Sequence, residues 1–249
     1  REFTQMEMEF FCHEDEGMKW FEYWKEQRIN FYRNKLGFTE DNYRIYVHEK
    51  LAHYAKAAID IEVKFPFGWG ELEGVHHRGQ WDLSRHSEFS GEDLQYFDHD
   101  NGRKFMPTVI ETSVGLDRTF LAILSKSYYE DTADTCKEGK DQELRIVLRL
   151  PATVAPIQVA VLPLSKKLNE AAEKLYFDLN RHFRCEFDVT GSIGKRYRRQ
   201  DEIGTPFCIT YDFESESDNA VTVRERDSMQ QERVNLSTLR DYLEDKIGF

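Results

Sequence analysis

The feature that most constrains this chain is a change of period at Gly115. Before it, Val109 and Ile110 are β-branched and lead into Glu111 and Ser113, which share one side of an extended segment because strand side chains alternate. After it, Leu116, Phe120, Ile123 and Leu124 follow the three-and-four spacing of a helix packed on a core. A strand must therefore turn into a helix at a residue whose missing side chain lets backbone approach a ligand. Arg118 falls in the first helical turn, where a cation beside free N–H groups makes an anion site, with the Glu111 carboxylate close by. The same pattern also suits an ordinary strand-to-helix joint with Ser113 as a cap and Arg118 in solvent.

A second alternating stretch opens the chain. Residues 1–11 place Arg1, Gln5, Glu7 and Glu9 on one side and Met6, Met8 and Phe10 on the other, a strand with one charged and one apolar face. Between these stretches the spacing predicts a helix from Met18 that ends near Gly37, and an apolar segment at Tyr43–Val47 with Leu51, Tyr54 and Ala55 helical beyond it. A strand at Ala57–Pro66 is followed by the turn Phe67-Gly68-Trp69-Gly70 and a second strand through Glu71 and Glu73. Ser90–Leu94 reads as a helix start, Asp98–Gly102 as a turn. Glu71, Glu73, His76 and His77 raise the possibility of a metal site, with Glu71 and Glu73 expected on one strand side but no third ligand motif. His48 and His53, five apart, do not have the spacing of paired ligands on one helix.

With 249 residues, 40% of them hydrophobic, the chain can build two cored domains. Its apolar runs are of strand length, which argues against a membrane span, and no secretory signal is visible. Four scattered cysteines, Cys12, Cys136, Cys185 and Cys208, form no Cys-x-x-Cys pair, which points to reduced thiols in a cytoplasmic protein. The net charge of −12 is uneven. Residues 1–144 hold 18 Lys and Arg against 29 Asp and Glu (−11), residues 145–249 hold 16 against 17 (−1). The second part can thus carry a local basic face for phosphates.

Tyr128–Glu143 is poor in apolar residues and reads as a linker. Beyond it come strands at Leu144–Leu150 and Val154–Leu162, a helix over Ser165–Phe183, strands at Phe187–Thr190, Phe207–Phe213 and Val221–Glu225, and a closing helix at Leu236–Ile247. Such alternation predicts an α/β domain with a mixed, largely parallel sheet. Lys195, Arg196, Arg198 and Arg199 surround Tyr197, a candidate surface for RNA phosphates and a stacked base, or a solvated helix start flanked by Gly191 and Gly194.

Five separated stretches together resemble one family. Arg1-Glu2-Phe3-Thr4-Gln5-Met6-Glu7 and Val109–Arg118 are similar to the second half of motif 2 and to motif 3 of class II aminoacyl-tRNA synthetases, specifically glycyl-tRNA synthetase of the dimeric type. Gly68–Val75 with His77-Arg78 and Trp81-Asp82-Leu83 resembles that family's central ATP-site strand. Leu150–Leu164 and Gly191–Pro206 resemble its anticodon-binding domain.

The resemblance implies an α/β chain: a partial α+β antiparallel-sheet catalytic core at residues 1–130, a linker at 131–143, and a mixed-sheet anticodon-binding domain at 144–249. It implies a glycine pocket from Phe3, Thr4, Gln5, Met6 and Glu7 with Glu111, Thr112, Ser113, Val114 and Gly115. ATP would lie against Arg1, Glu2, Phe3, Glu71, Leu72, Gly115, Leu116, Asp117 and Arg118, with Glu71 positioning Mg2+ through the nucleotide. Arg78 matches an arginine that approaches the nucleotide, so Glu71, Arg78 and Arg118 would carry the catalysis. Lys195, Arg196, Arg198 and Arg199 would face tRNA. The substrates implied are glycine, ATP and glycine tRNA, and the assembly a homodimer of a longer enzyme, of which this is the C-terminal part beginning within motif 2. On that reading the chain alone forms no adenylate. Rival readings are a non-catalytic nucleic-acid-binding homologue of the polymerase-accessory kind and an unrelated metal hydrolase.

Overall fold

A computed structural model describes residues 2–132 and 144–248. The chain divides into two compact units, residues 1–125 and 126–249. Arg1, Cys136 and most of the expected linker, residues 133–143, lie outside the described residues. Among the described residues no helix is long and apolar enough to cross a membrane, and Cys12, Cys185 and Cys208 are free thiols.

In the first unit, β1 (Gln5–Cys12) is followed by α1 (Gly17–Asn30) and a wider π turn over Phe31–Lys35. The chain then reverses at Gly37, whose φ of 63° is natural for glycine. Next come β2 (Tyr43–Val47), β3 (Ala57–Phe65), β4 (Gly68–Gly79), α2 (Trp81–Ser90), the hairpin β5 (Tyr96–Asp98) and β6 (Arg103–Phe105), β7 (Thr108–Gly115) and α3 (Leu116–Ser127). Five strands form a sheet in the order β1-β7-β4-β3-β2, antiparallel throughout.

One face of this sheet carries Ile59, Ile61, Val63, Val75, Ile110 and Val114, buried with Phe21 of α1 and with Tyr32, Leu36 and Phe38 that follow it. Glu73 sits fully buried on that face. It accepts two bonds from Arg28, 2.6 and 3.1 Å, and one from the Tyr32 hydroxyl at 2.6 Å. A carboxylate so enclosed is tolerated because every donor it needs comes from the helix side.

α1 and β4 also meet at Gly17. A methyl group there would lie 2.3 Å from His77 Nε2 and 3.1 Å from Thr108 Cγ2. His77 is buried and its Nδ1 accepts the Gly79 N–H at 3.2 Å, so the ring cannot swing away. Burial, with Lys56 nearby, also holds this imidazole below the usual histidine range, in keeping with a neutral acceptor. Gly17→Ala is expected to cost about 1–3 kcal/mol by overpacking, more than the gain of up to ~1 kcal/mol that alanine offers a helix. All four tryptophans, Trp20, Trp24, Trp69 and Trp81, lie in this unit. Urea unfolding followed by their fluorescence should show an earlier midpoint, and an unchanged one would refute the contact.

Three local readings need correction. The segment after β2 is turn and bend rather than helix. Gly91, with φ 76°, ends α2, so Ser90–Leu94 closes a helix instead of starting one. Tyr128–Thr132 is a strand, β8, paired with β9 (Leu144–Leu148), because the exposed tyrosines find a partner beyond the polar stretch.

The second unit continues with β10 (Val159–Pro163), α4 (Asn169–Leu179), β11 (Cys185–Phe187), α5 (Ile193–Ile203), β12 (Phe207–Tyr211), α6 (Ser215–Asp218), β13 (Ala220–Glu225), β14 (Gln231–Asn235) and α7 (Leu239–Ile247). The sheet order is β11-β10-β12-β13-β14. Only β11, β10 and β12 are parallel, while β13 and β14 join antiparallel, so the sheet is mixed but not largely parallel. Val159, Val161, Ile209, Val221 and Val223 pack against Leu168, Ala172 and Leu179 on one side and against Leu239, Leu243 and Ile247 of α7. Ala160, Leu162 and Cys208 turn the other way, against Ile193 and Tyr197 of α5.

Candidate active site

The sheet face opposite α1 is polar, and strand register arranges it. β1 pairs with β7 so that Gln5 opposes Gly115, Glu7 opposes Ser113 and Glu9 opposes Glu111. β4 continues the rows, Gly74 opposing Ser113 and His76 opposing Glu111. Directly opposed residues share a face, so these groups stand side by side.

Beyond the first row lies a cavity of about 430 Å³ lined by Phe3, Gln5, Glu71, Leu72, Ser113, Gly115, Asp117 and Arg118. Arg118, exposed in the first turn of α3, donates to the Glu71 carbonyl at 2.8 Å and its guanidinium lies 5.8 Å from the Phe65 ring centre. The Glu71 side chain is left for solvent or a ligand. Gln5 Nε2 donates to Ser113 Oγ, which donates on to Glu7 at 3.5 Å. Leu116 N–H donates to the Thr4 carbonyl at 2.8 Å, tying the start of the helix to the chain just before β1.

A register shift explains Glu71. Glu73 opposes Ile61 but Glu71 opposes Glu62, leaving Leu72 as the extra residue of a β-bulge. Ile61 and Glu62 face opposite ways, so Glu71 and Glu73 do too, contrary to the expectation that they share a side. His76 lies on the polar face and His77 on the α1 face by plain alternation. The four residues of the possible metal site are thereby split between two faces. Among the described residues no group of three or more His, Cys, Asp or Glu could hold a metal ion.

One row further along, Glu111 is buried and both its oxygens are occupied. Arg78 Nη1 donates to Oε2 at 2.6 Å, and His76 Nδ1 lies 3.2 Å from Oε1. Arg78 is itself held by two bonds to Asp82, 2.7 and 3.2 Å, and stacks over Tyr54 at 4.7 Å. The His76 hydrogen bond, with Arg78 and Glu9 adding to it, holds Glu111 down to about 2. Burial, then the Glu111 hydrogen bond and charge, push Glu9 up to about 7, although the residue still reaches solvent. Two carboxylates in register cannot both ionise freely, and the His76 and Arg78 contacts to Glu111 decide which one does.

The expected site residues therefore fall into four sets. Phe3, Gln5, Glu71, Leu72, Ser113, Gly115, Asp117 and Arg118 meet at the cavity. Glu7, Glu111 and Arg78 stand on the same face, reached through Ser113. Met6, Thr112 and Val114 alternate onto the other face, where they line a separate cleft with Arg28 and Tyr32. Glu2, Thr4 and Leu116 are exposed and line none of these. Sequence reasoning left Glu9, His76 and Asp82 without roles. Glu9 shares the alternation of Glu7, a signal that was available, whereas the grip of His76 and Asp82 depends on pairing between distant strands.

In the second unit only Lys195 of the four cations is exposed. Arg196 is buried and donates to the carbonyls of Pro163 and Asp188 at 2.7 and 3.2 Å, which removes it from any surface. Arg199 binds the Asp188 carboxylate and the Thr190 carbonyl at 2.6 Å, and Arg198 the Leu144 carbonyl at 2.8 Å.

Residues 158–246 match the anticodon binding domain family. The whole chain is 53% identical to the glycine–tRNA ligase of Lachnoclostridium phytofermentans, of which it covers 53%. It is 52% identical to the ligases of Lachnospira eligens and of Caldanaerobacter subterraneus, again covering 53% of each. Over its whole length the chain is similar to glycine–tRNA ligases. It spans about half the length of these relatives. The similarity runs through both units.

Proposed function

We propose that the protein is a glycine–tRNA ligase: it joins glycine to ATP as glycyl-adenylate and passes the glycyl group to glycine tRNA. The observation that carries this reading is the cavity that Arg118, Glu71 and Ser113 line together, with Glu7 reached through Ser113. A nucleotide fits such a space. A methyl group at Gly115 would touch no protein atom nearer than 3.5 Å, so packing does not require glycine there, and the residue keeps room for a ligand against the helix start.

In this reading Arg118 and the start of α3 at Gly115 bind the phosphates, and Phe3 and Leu72 border the nucleotide. Glu71 holds Mg2+, which one carboxylate and phosphate oxygens suffice to bind. The ion supplies charge for the phosphoryl oxygens when bound. Glu7 and Ser113 receive the ammonium and carboxylate ends of glycine, with Glu111 supporting. Proximity and electrostatics carry the reaction, with no side-chain nucleophile. Arg78 acts by fixing Glu111. The family match of residues 158–246 supports tRNA binding by the second unit, where Lys195 is the cation best placed to meet phosphate. A homodimer and a cytoplasmic location complete the reading.

The test is glycine-dependent ATP–pyrophosphate exchange and tRNA charging by the protein as its gene encodes it. Exchange with glycine and not with alanine is the expected result, and none would leave a non-catalytic homologue. The 249-residue chain by itself is expected to give no exchange.

A further inference from the structure

We propose that Glu9 is a further ammonium-binding carboxylate of this site, and that the arriving α-ammonium group replaces a proton held between Glu9 and Glu111. The inference rests on the glycine-ligase reading and adds a residue and a pH dependence to it. Its ground is geometric. Glu9 is directly opposite Glu111 in the β1–β7 register, one alternation beyond the Glu7–Ser113 pair and therefore about 7 Å further along the same face. Glu111 has both oxygens engaged by Arg78 and His76, so its charge is already spent within the protein. Glu7 and Glu9 are the exposed carboxylates of the two rows.

The charged groups around Glu9 are Glu7 on its own strand, Glu111 on β7, and Arg78 and His76 on β4, with Asp82 of α2 behind Arg78. Arg78 lies against Glu111, so the negative charge stays there and the proton stays on Glu9. A primary ammonium ion supplies the positive charge that Glu9 lacks. On binding, the Glu9 proton leaves to solvent and the ammonium keeps its three protons, so charge and atoms balance. The position of Glu9 near 7 agrees with this. The sign follows: below that pH the proton competes with glycine, and above it the site is already ionised.

Isothermal titration with glycine, from pH 6 to pH 8 and in buffers of different ionisation enthalpy, tests the idea on the protein as its gene encodes it. The dissociation constant should fall about tenfold over that range, with close to one proton released per glycine at pH 6 and little at pH 8. In Glu9→Gln the constant at pH 8 should rise about tenfold or more, the pH slope should vanish, and KM for ATP should stay within about twofold. Glu9→Asp should restore part of the slope. A slope that survives Glu9→Gln, or vanishes instead in His76→Gln, overturns the proposal and leaves the ligase reading intact. No glycine binding by the unaltered protein at either pH would overturn both.

Discussion

Asp201→Ala is expected to destabilise the second unit by about 3–5 kcal/mol, the cost of leaving buried charges without their partner. Asp201, on α5, is 2% exposed and shared by two arginines that are themselves buried. Arg145 Nε donates to Oδ2 at 2.8 Å. Arg224 donates to Oδ1 at 2.9 Å and to Oδ2 at 3.2 Å. Arg145 also donates to the Arg226 carbonyl and to Asp131 at 3.1 Å. Of these two further partners Asp131, 27% exposed, carries a countercharge and the carbonyl does not. Without Asp201, Arg224 keeps the face of Tyr197, 4.9 Å away, a weaker partner for a desolvated cation. Asp201→Asn should lose nearly as much, since its amide would present N–H groups to a guanidinium. Urea unfolding followed by far-UV circular dichroism measures the loss, and a change below about 1 kcal/mol would show that the cluster is not needed. Adding Arg224→Met to Asp201→Ala should recover part of it, because an apolar side chain leaves no orphaned charge.

Arg118→Ala is expected to lower kcat/KM for ATP in adenylate formation by a factor of about 10²–10³ while barely moving the unfolding midpoint. The two halves of that result have separate grounds. Arg118 is exposed and makes one bond to a backbone carbonyl, so the fold depends on it little. It also lines the cavity together with Glu71, where the proposed reaction places the developing charge of the phosphates. Arg118→Lys should fall between, since lysine keeps the charge and loses the planar fork. ATP–pyrophosphate exchange gives the number, and a loss below tenfold would remove Arg118 from the reaction.

Much of the site was readable before the fold was known, and the reason is local. Alternation in residues 5–11 and 109–115, a glycine, then a helical period give a strand with Glu7, another with Glu111 and Ser113, and a cation in the first turn of α3. Each of these depends on neighbours a few positions away. The second unit behaved likewise, with α4, β12, β13 and α7 close to their expected places. What failed was of a different kind. Met6, Thr112 and Val114 belong to the stretches that match a pocket, yet alternation sends them to the other face. The basic run around Tyr197 resembles an RNA-binding surface, but a helix packed on a sheet turns Arg196 inward to two carbonyls.

Sequence alone therefore determined most of the strands and helices and the composition of the polar face, because periodicity and turn chemistry act over a few residues. Tertiary structure decided who meets whom. The bulge at Leu72 sets Glu71 and Glu73 on opposite faces, and the β1–β7 register brings Glu9 against Glu111, about a hundred residues away. Pairing in a sheet is a contact between distant segments, and a single-residue slip reverses every side chain, so only the assembled sheet fixes it.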